Sequence, residues 1–382
     1  MHPILIVGSG LAGWTTAREF RKLDTVTPVL MVTADSGDFY AKPALSNAFA
    51  QGRLPAQLVS TPAARMAETL GVSLMTGTRV QAIHLEARTL ATSAGDLAYA
   101  QLVLATGAQP IRVSVGGNAA HRVRSVNSLE DFAVFHAQLQ PGGGTGRAVV
   151  IMGAGLIGCE FANDLASAGF CVSVVDPGER PLAALLPEAA SASLRQALET
   201  LGVAFHFGCT VQSVDDSTAG ARLQLVLSNG KKMHADAILS AVGLRADTQL
   251  AQAAGLAVAR GIVVNRELQT SAANVYALGD CAQYHHGMPL PYVMPIMTAA
   301  RALAATLAGT PTGVDFPLMP VSIKTPALPL VVASPQPGSS GQWRSPQAGL
   351  WQWLDEAGVQ RGFVLSGSQT AQRMAQSRLV VR

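Results

Sequence analysis

The chain opens on an apolar run, HPILIV at positions 2–7, which is hydrophobic on both faces as a buried central parallel strand requires. Gly8-Ser9-Gly10-Leu11-Ala12-Gly13 follows at once, and a helical pattern continues to about Leu23. Residues 28–33 read as a second strand ending near Asp35, and residues 39–46 as a loop running into a short helix. Strands are predicted at 72–75, 80–85 and 102–105, the last stopping at the turn Thr106-Gly107-Ala108-Gln109-Pro110. A glycine-rich loop at 140–146 separates this stretch from a return of the opening pattern. An apolar strand at 148–152 leads into Gly153-Ala154-Gly155-Leu156-Ile157-Gly158, a helix through Leu165, and a strand at 171–175 that ends in Asp176.

Each glycine in these turns has a mechanical task. Gly8 makes the tight turn, Gly10 lets a pyrophosphate approach the backbone, and Gly13 lets helix and strand pack closely. The helix start offers free N–H groups and a partial positive charge to the phosphates. Asp35 lies 22 positions past Gly13 and Asp176 lies 18 past Gly158, about where an acid meets a ribose hydroxyl. Gly8 and Gly153 stand 145 positions apart, so a nucleotide-binding unit is duplicated and two nucleotides bind.

Farther on, a helix is predicted at 187–201, strands at 203–207 and 223–227, and a buried strand at 274–278 ending in the Gly279-Asp280 corner. A long Ala-rich helix is expected to open with Pro295 at its first position. The last segment is extended and proline-broken at 320–332, a loop at 335–346, and a hairpin at 350–365 around residues 355–358. Trp343, Trp351 and Trp353 are expected to form the core of a small third domain.

Composition excludes several classes. The 382 residues are 49% hydrophobic and 13% charged, suited to buried parallel sheets rather than a disordered chain. A net charge of +3 with scattered Lys and Arg offers no track for nucleic acid. No apolar run reaches the ~18 residues of a membrane span, and the short, glycine-broken start lacks the basic region of a signal peptide. A cytoplasmic protein is expected. Cys159, Cys171, Cys209 and Cys281 form no CxxC pair and are expected to be buried reduced thiols. His285 and His286 read as a polar loop, and no metal site is expected.

The order of motifs, with Ala105-Thr106-Gly107-Ala108 between the two glycine turns and Ala277-Leu278-Gly279-Asp280-Cys281-Ala282 after them, resembles the FAD-dependent pyridine nucleotide–disulfide oxidoreductase superfamily. The resemblance implies an α/β fold with two Rossmann-like, glutathione-reductase-type domains. It places an FAD domain at 1–113 and 241–314, split by an NAD(H) domain at 114–240, and a small α+β domain at 315–382. It also implies that Asp280 bonds the flavin ribityl chain, a helix N-cap being the alternative for this residue, and that Asp35 bonds the FAD adenosine ribose. Val80, Ala105, Thr106, Gly107, Val242 and Gly243 join the glycine turns as cofactor contacts.

No cysteine precedes Cys159, so electrons cannot leave through a thiol near the first βαβ unit, as they do in disulfide reductases. That points to the ferredoxin- and rubredoxin-reductase-like branch. Residues 153–165 (GAGLIGCEFANDL) and 319–327 (MPVSIKTPA) are similar to bacterial rubredoxin–NAD reductases of the alkane-oxidation type. The resemblance implies that NADH reduces FAD, which hands single electrons to rubredoxin for an alkane hydroxylase or an oxidative-stress chain. An NADH-dependent ferredoxin reductase of a dioxygenase or P450 system is the alternative.

Lys42, followed by Pro43, sits where this branch places a cation beside the flavin, and Glu160 where it places a carboxylate near the nicotinamide. A Lys42–Glu160 pair beside flavin N5 is expected, against a solvated loop lysine and a helix-surface acid. Lys324 is a second candidate flavin contact. The helix opening at Pro295 should point its positive end at the flavin N1–C2=O edge. Asp176 should favour NADH over NADPH, with Arg180 nearby as the residue that could blunt the preference. The short C-terminal domain favours a monomer.

Overall fold

The computed structural model describes residues 2–139, 146–217, 222–285 and 287–381. Six of the seven residues of the expected glycine-rich loop (140–145) and His286 lie outside the described residues. The chain divides into two compact units, one built from Met1–Ala41, Val59–Gln109 and Leu244–Pro317, the other from Lys42–Leu58, Pro110–Gly243 and Leu318–Arg382.

The first unit is organised by a five-stranded parallel sheet in the order Val275–Ala277, Gln101–Leu104, Ile4–Val7, Val29–Val32, Ser73–Met75. Ile4–Val7 is central and buried along its whole length, as a strand packed on both faces must be. Helix Leu11–Arg21 turns Trp14 and Phe20 inward, and the Trp14 indole N–H donates to the Gly37 carbonyl. Burying two such rings contributes several kcal/mol on the scale of ~25 cal/mol per Å² of apolar surface. A second helix, Val293–Leu307, adds Ile296, Leu303 and a row of alanines to the same core. A three-stranded antiparallel sheet, Val80–His84, Thr89–Thr92 and Gly95–Ala98, completes the unit.

The second unit repeats this plan. Its parallel sheet runs Val123–Arg124, Ala237–Ser240, Ala148–Met152, Cys171–Asp176, Ala204–Phe207, beside an antiparallel sheet of Val211–Asp216, Leu223–Leu227 and Lys232–Ala235. Helix Leu156–Ser167 is buried from Gly158 through Leu165. Toward the C-terminus the unit adds a five-stranded antiparallel sheet in the order Val321–Ile323, Leu330–Ala333, Gln360–Ser366, Leu350–Asp355, Gly341–Gln347.

Four expectations are corrected. The expected loop at 335–346 holds the edge strand Gly341–Gln347, whose seven residues are almost all exposed and so show no apolar alternation. Of the three late tryptophans only Trp351 is buried; Trp343 and Trp353 meet edge to face at 5.3 Å on a half-exposed sheet surface. The Ala-rich helix begins at Val293, which puts Pro295 at its third position. That site tolerates proline because the first four N–H groups of a helix have no intrahelical acceptor. Cys171 is exposed, while the other three thiols are buried.

Candidate functional site

The two glycine turns are near copies at atomic detail. Gly8 and Gly153 both have φ +106°, a conformation open to glycine. A Cβ on Gly8 would lie 2.3 Å from the Ala105 carbonyl oxygen, and one on Gly153 would lie 2.6 Å from that of Ala241. A Cβ on Gly13 or Gly158 would lie 1.9 or 2.0 Å from the carbonyl oxygen of Gly8 or Gly153. Around Gly10 and Gly155 a Cβ would meet nothing within 4 Å. Each turn is thus closed where helix and strand touch and open where a pyrophosphate would approach. Leu11-Ala12 and Leu156-Ile157 begin the helices, whose N-termini carry no side-chain cap. Uncapped N–H groups facing open space suit a dinucleotide, so the residues present fit FAD and NAD(H).

In the first unit, Asp35 stands at the end of the second strand, and Ser9, Thr33 and the Gly37 N–H all donate to its Oδ1 at 3.0, 2.5 and 3.0 Å. Its other oxygen is thereby aimed by a fixed carboxylate. Ala12 lies against Gly279, where a Cβ would meet the Ala12 methyl at 2.9 Å, so the glycine turn and the Gly279–Cys281 turn are brought together. Asp280 lies inside that 3₁₀ turn rather than at a helix N-cap, which Leu278 occupies. The Tyr284 hydroxyl accepts the Gly279 N–H at 3.1 Å, and burial pushes its phenol well above the usual range, so it stays neutral. Thr106 donates to the Asp247 carbonyl at 2.9 Å, and the N–H of Asp247 donates to the carbonyl of its neighbour Gly107, also at 2.9 Å. Val80 is buried at the start of its strand and belongs to the same core cluster as Ile4–Val7, Ala12 and Ala105 around the glycine turn.

In the second unit, Asp176 is held by both oxygens: Oδ2 accepts the Ala154 N–H of the glycine turn and Oδ1 accepts the Gly178 N–H, each at 2.7 Å. Arg180 is turned to the backbone, its guanidinium donating to the carbonyl oxygens of Leu186 (2.8 Å) and Ala183 (3.4 Å). Val242 follows the strand that closes the turn, and Gly243, at φ +122°, accepts the Ile111 N–H at 3.0 Å.

Glu160 is 2% exposed and no surface acid, but its cation is not Lys42. The Lys324 ammonium lies 2.5 Å from Glu160 Oε2, with its other protons directed to the Pro43 carbonyl (2.8 Å) and the Ser46 hydroxyl (3.0 Å). Ser46 donates to the same Oε2 at 2.7 Å, and the Lys324 backbone N–H donates to Oε1 at 2.9 Å. Lys42 is exposed and reaches Asn127 Oδ1 at 3.4 Å. The expected Lys42–Glu160 pair is therefore replaced by Lys324–Glu160. A buried carboxylate needs a cation that can enter with it, and Lys324 comes from a strand end packed on the same helix, whereas Lys42 sits at the outer start of the short helix Lys42–Asn47.

Sequence reading missed Ser46, Tyr284, Asn163 and Asp164. The last two had a signal: with Glu160 they put three polar groups at i, i+3 and i+4 of an otherwise apolar helix. Burial pushes the Cys159 thiol up to about 12, so it stays protonated and unreactive. Among the described residues no group of three or more His, Cys, Asp or Glu is arranged to hold a metal ion, and no helix is long and apolar enough to cross a membrane.

Comparison with known proteins agrees with this geometry. Residues 2–305 match the pyridine nucleotide-disulphide oxidoreductase family, and residues 313–379 match the rubredoxin binding C-terminal domain. The chain is 44% identical over 379 residues to a rubredoxin-NAD(+) reductase of Alcanivorax borkumensis, covering 98% of this chain and 97% of that protein. It is 41% identical over 388 residues to the rubredoxin-NAD(+) reductase of Acinetobacter baylyi, covering 100% and 98%. In a crystal structure of the covalent putidaredoxin reductase–putidaredoxin complex, a chain 25% identical superposes with a TM-score of 0.89 over 99% of this chain and 93% of that one. Two glycine cradles, each backed by a strand-end carboxylate, and a matching sequence over most of its length place the chain in the pyridine nucleotide-disulphide oxidoreductase family.

Proposed function

We propose that this chain is an NADH:rubredoxin oxidoreductase that uses FAD. The observation carrying this reading is the union, in one chain, of two equivalent dinucleotide cradles with a C-terminal domain of the rubredoxin-binding family. Bound FAD supplies an acceptor for a hydride and a donor of single electrons, which a one-electron iron centre needs and NADH cannot provide directly.

The chain's own residues do the rest. In the first unit the open backbone at Gly10 and the helix start receive the FAD pyrophosphate, Asp35 holds the adenosine ribose, and Asp280 holds the ribityl chain. Helix Val293–Leu307 presents its positive end to the flavin ring. In the second unit Gly155 and the start of helix Leu156–Ser167 receive NADH, and Asp176 accepts its adenosine ribose hydroxyls. A 2′-phosphate would meet that carboxylate with Arg180 turned away, so NADH is favoured over NADPH. Glu160 and Lys324 line the nicotinamide end of the cradle, Lys42 supplies a cation near the flavin, and the reaction belongs in the cytoplasm.

The test is anaerobic. The purified protein is yellow, NADH bleaches it, and oxidised rubredoxin restores the colour with two rubredoxins reduced per NADH, by the electron count of a hydride. A colourless protein that takes up no FAD, or a flavin that NADH leaves oxidised, refutes the reading. A [2Fe–2S] ferredoxin is the second acceptor to try, favoured by the likeness to putidaredoxin reductase; faster reoxidation by ferredoxin than by rubredoxin would reverse the assignment. An NADPH preference in kcat/KM would overturn the role given to Asp176.

A further inference from the structure

Helix Leu156–Ser167 presents three polar side chains on one face, at positions 160, 163 and 164. Glu160 holds Lys324, and Asn163 Oδ1 accepts the Ala327 N–H at 3.0 Å. Asp164 is different: its two oxygens both reach the turn that follows the short helix Lys42–Asn47. Oδ2 accepts the Phe49 N–H at 3.0 Å, and Oδ1 accepts the Ala50 N–H at 2.8 Å. The side chain is 2% exposed. Burial raises its pKa to about 6, against the lowering influence of those two N–H groups and of Lys324.

A carboxylate this deep, with no cation bonded to it, is costly unless its geometry is needed. The carboxyl gives each of the two adjacent N–H donors an oxygen of its own, whereas an amide of the same length would put an NH₂ donor against one of them. The turn it grips is braced from the other side. The Phe49 ring stacks on His136 at 5.4 Å and meets Phe132, Phe135 and Phe170 edge to face. Residues 43–50 are therefore pinned at two points: Lys324 grips Pro43 and Ser46, and Asp164 grips Phe49 and Ala50. Ser46, part of the first pin, donates to Glu160. Lys42 immediately precedes this segment.

We infer that Asp164 is a positioning residue, which by clamping the 49–50 turn sets Ser46, the Glu160–Lys324 pair and Lys42 for hydride transfer from NADH. It touches none of the reacting atoms and acts through the segment it holds. The inference rests on the flavin-reductase reading for its kinetic part and on the hydrogen bonds alone for its structural part.

The test uses the full-length holoprotein. Asp164→Asn puts an NH₂ donor against a backbone N–H that requires an acceptor. Deuterium uptake in the peptide spanning residues 44–52 should then accelerate by ~10-fold or more, as a lost tether exposes local opening. Flavin bleaching at saturating NADH should slow by ~10-fold, the scale of a small misplacement near the chemistry, with NAD⁺ affinity within ~2-fold of wild type. Asp164→Glu, which keeps the charge but moves the carboxyl by one methylene, should show the same two effects if the Asn variant fails to fold. Asn163→Ala removes a neighbouring bond to a different segment and should leave uptake at 44–52 unchanged.

Unchanged uptake in the Asp164 variants overturns the clamp. Faster uptake with unchanged bleaching overturns the positioning role, and equal acceleration in Asn163→Ala shows general damage to the helix and overturns both. If NADH fails to bleach the wild-type flavin, the reductase reading falls while the exchange result still decides whether Asp164 clamps.

Discussion

Lys324 and Glu160 were both visible in the sequence as candidate groups, but their pairing was not, since they are 164 positions apart and nothing local joins them. Removing one partner of such a pair leaves a buried charge behind. Lys324→Met should therefore cost about 2–3 kcal/mol, below the 3–5 typical of a fully buried pair because the ammonium side chain is 31% exposed. Adding Glu160→Gln should recover most of that loss, which urea unfolding of both single variants and the double variant will measure; strict additivity would refute the pairing. Asp164 gives a pH signature. Its folded pKa of about 6 lies above its ordinary 3.8, so the fold favours the protonated form. Its contribution is fully present below pH 3.8 and is lost as pH rises through 6, a swing of about 3 kcal/mol at most. Asp164→Asn removes that swing. The stability of the variant relative to wild type should thus improve steadily between pH 4 and pH 7, and a flat difference would show that the carboxyl is not held in this way.

At the scale of elements, what was legible is what is encoded locally. A continuous apolar run, a glycine turn and a helix fall within twenty residues, and both copies appear where the pattern places them. What escaped lacks a local signature. The edge strand Gly341–Gln347 carries exposed residues on both faces, and its pairing with Leu350–Asp355 is decided by a neighbour. The two residues preceding Pro295 join its helix although proline favours the first position, because Pro295 still falls among the N–H groups without acceptors. The two cradles should fail separately. Gly13→Ala drives a methyl into the Gly8 carbonyl and should abolish FAD retention through refolding, whereas Gly158→Ala does the same to Gly153 and should leave the protein yellow. NAD⁺ affinity of the second variant should fall by ~100-fold, the consequence of a shifted helix start under a pyrophosphate. Calorimetry with NAD⁺ on the yellow protein checks this, and a normal affinity would show that close helix–strand packing is not what shapes the site.

For the whole molecule, duplication was the feature most readable in advance, and the structure extends it from the glycine turns to entire sheets, five parallel strands plus three antiparallel in each unit. The role of the C-terminal region was less readable, because a small antiparallel sheet with scattered tryptophans fits many purposes; its match to the rubredoxin-binding family supplies what the residues alone do not. Charge adds a prediction. Residues 318–382 hold six Lys and Arg against two acids, a net of +4 beside +3 for the whole chain. An acidic acceptor surface would be drawn to this region, so rubredoxin reduction should slow by ~10-fold between 50 and 500 mM salt as screening grows. The NADH bleaching step, measured alone by stopped flow, should change far less. Equal salt sensitivity of the two steps would remove the C-terminal charge from acceptor capture.

The Lys324 ammonium is met on three sides by Pro43, Ser46 and Glu160. A group so fully engaged behaves as masonry: it cannot swing toward a negative charge that comes and goes with each turnover. On the function proposed above, compensation on that timescale would fall to Lys42, which is exposed and makes a long 3.4 Å contact with Asn127 Oδ1.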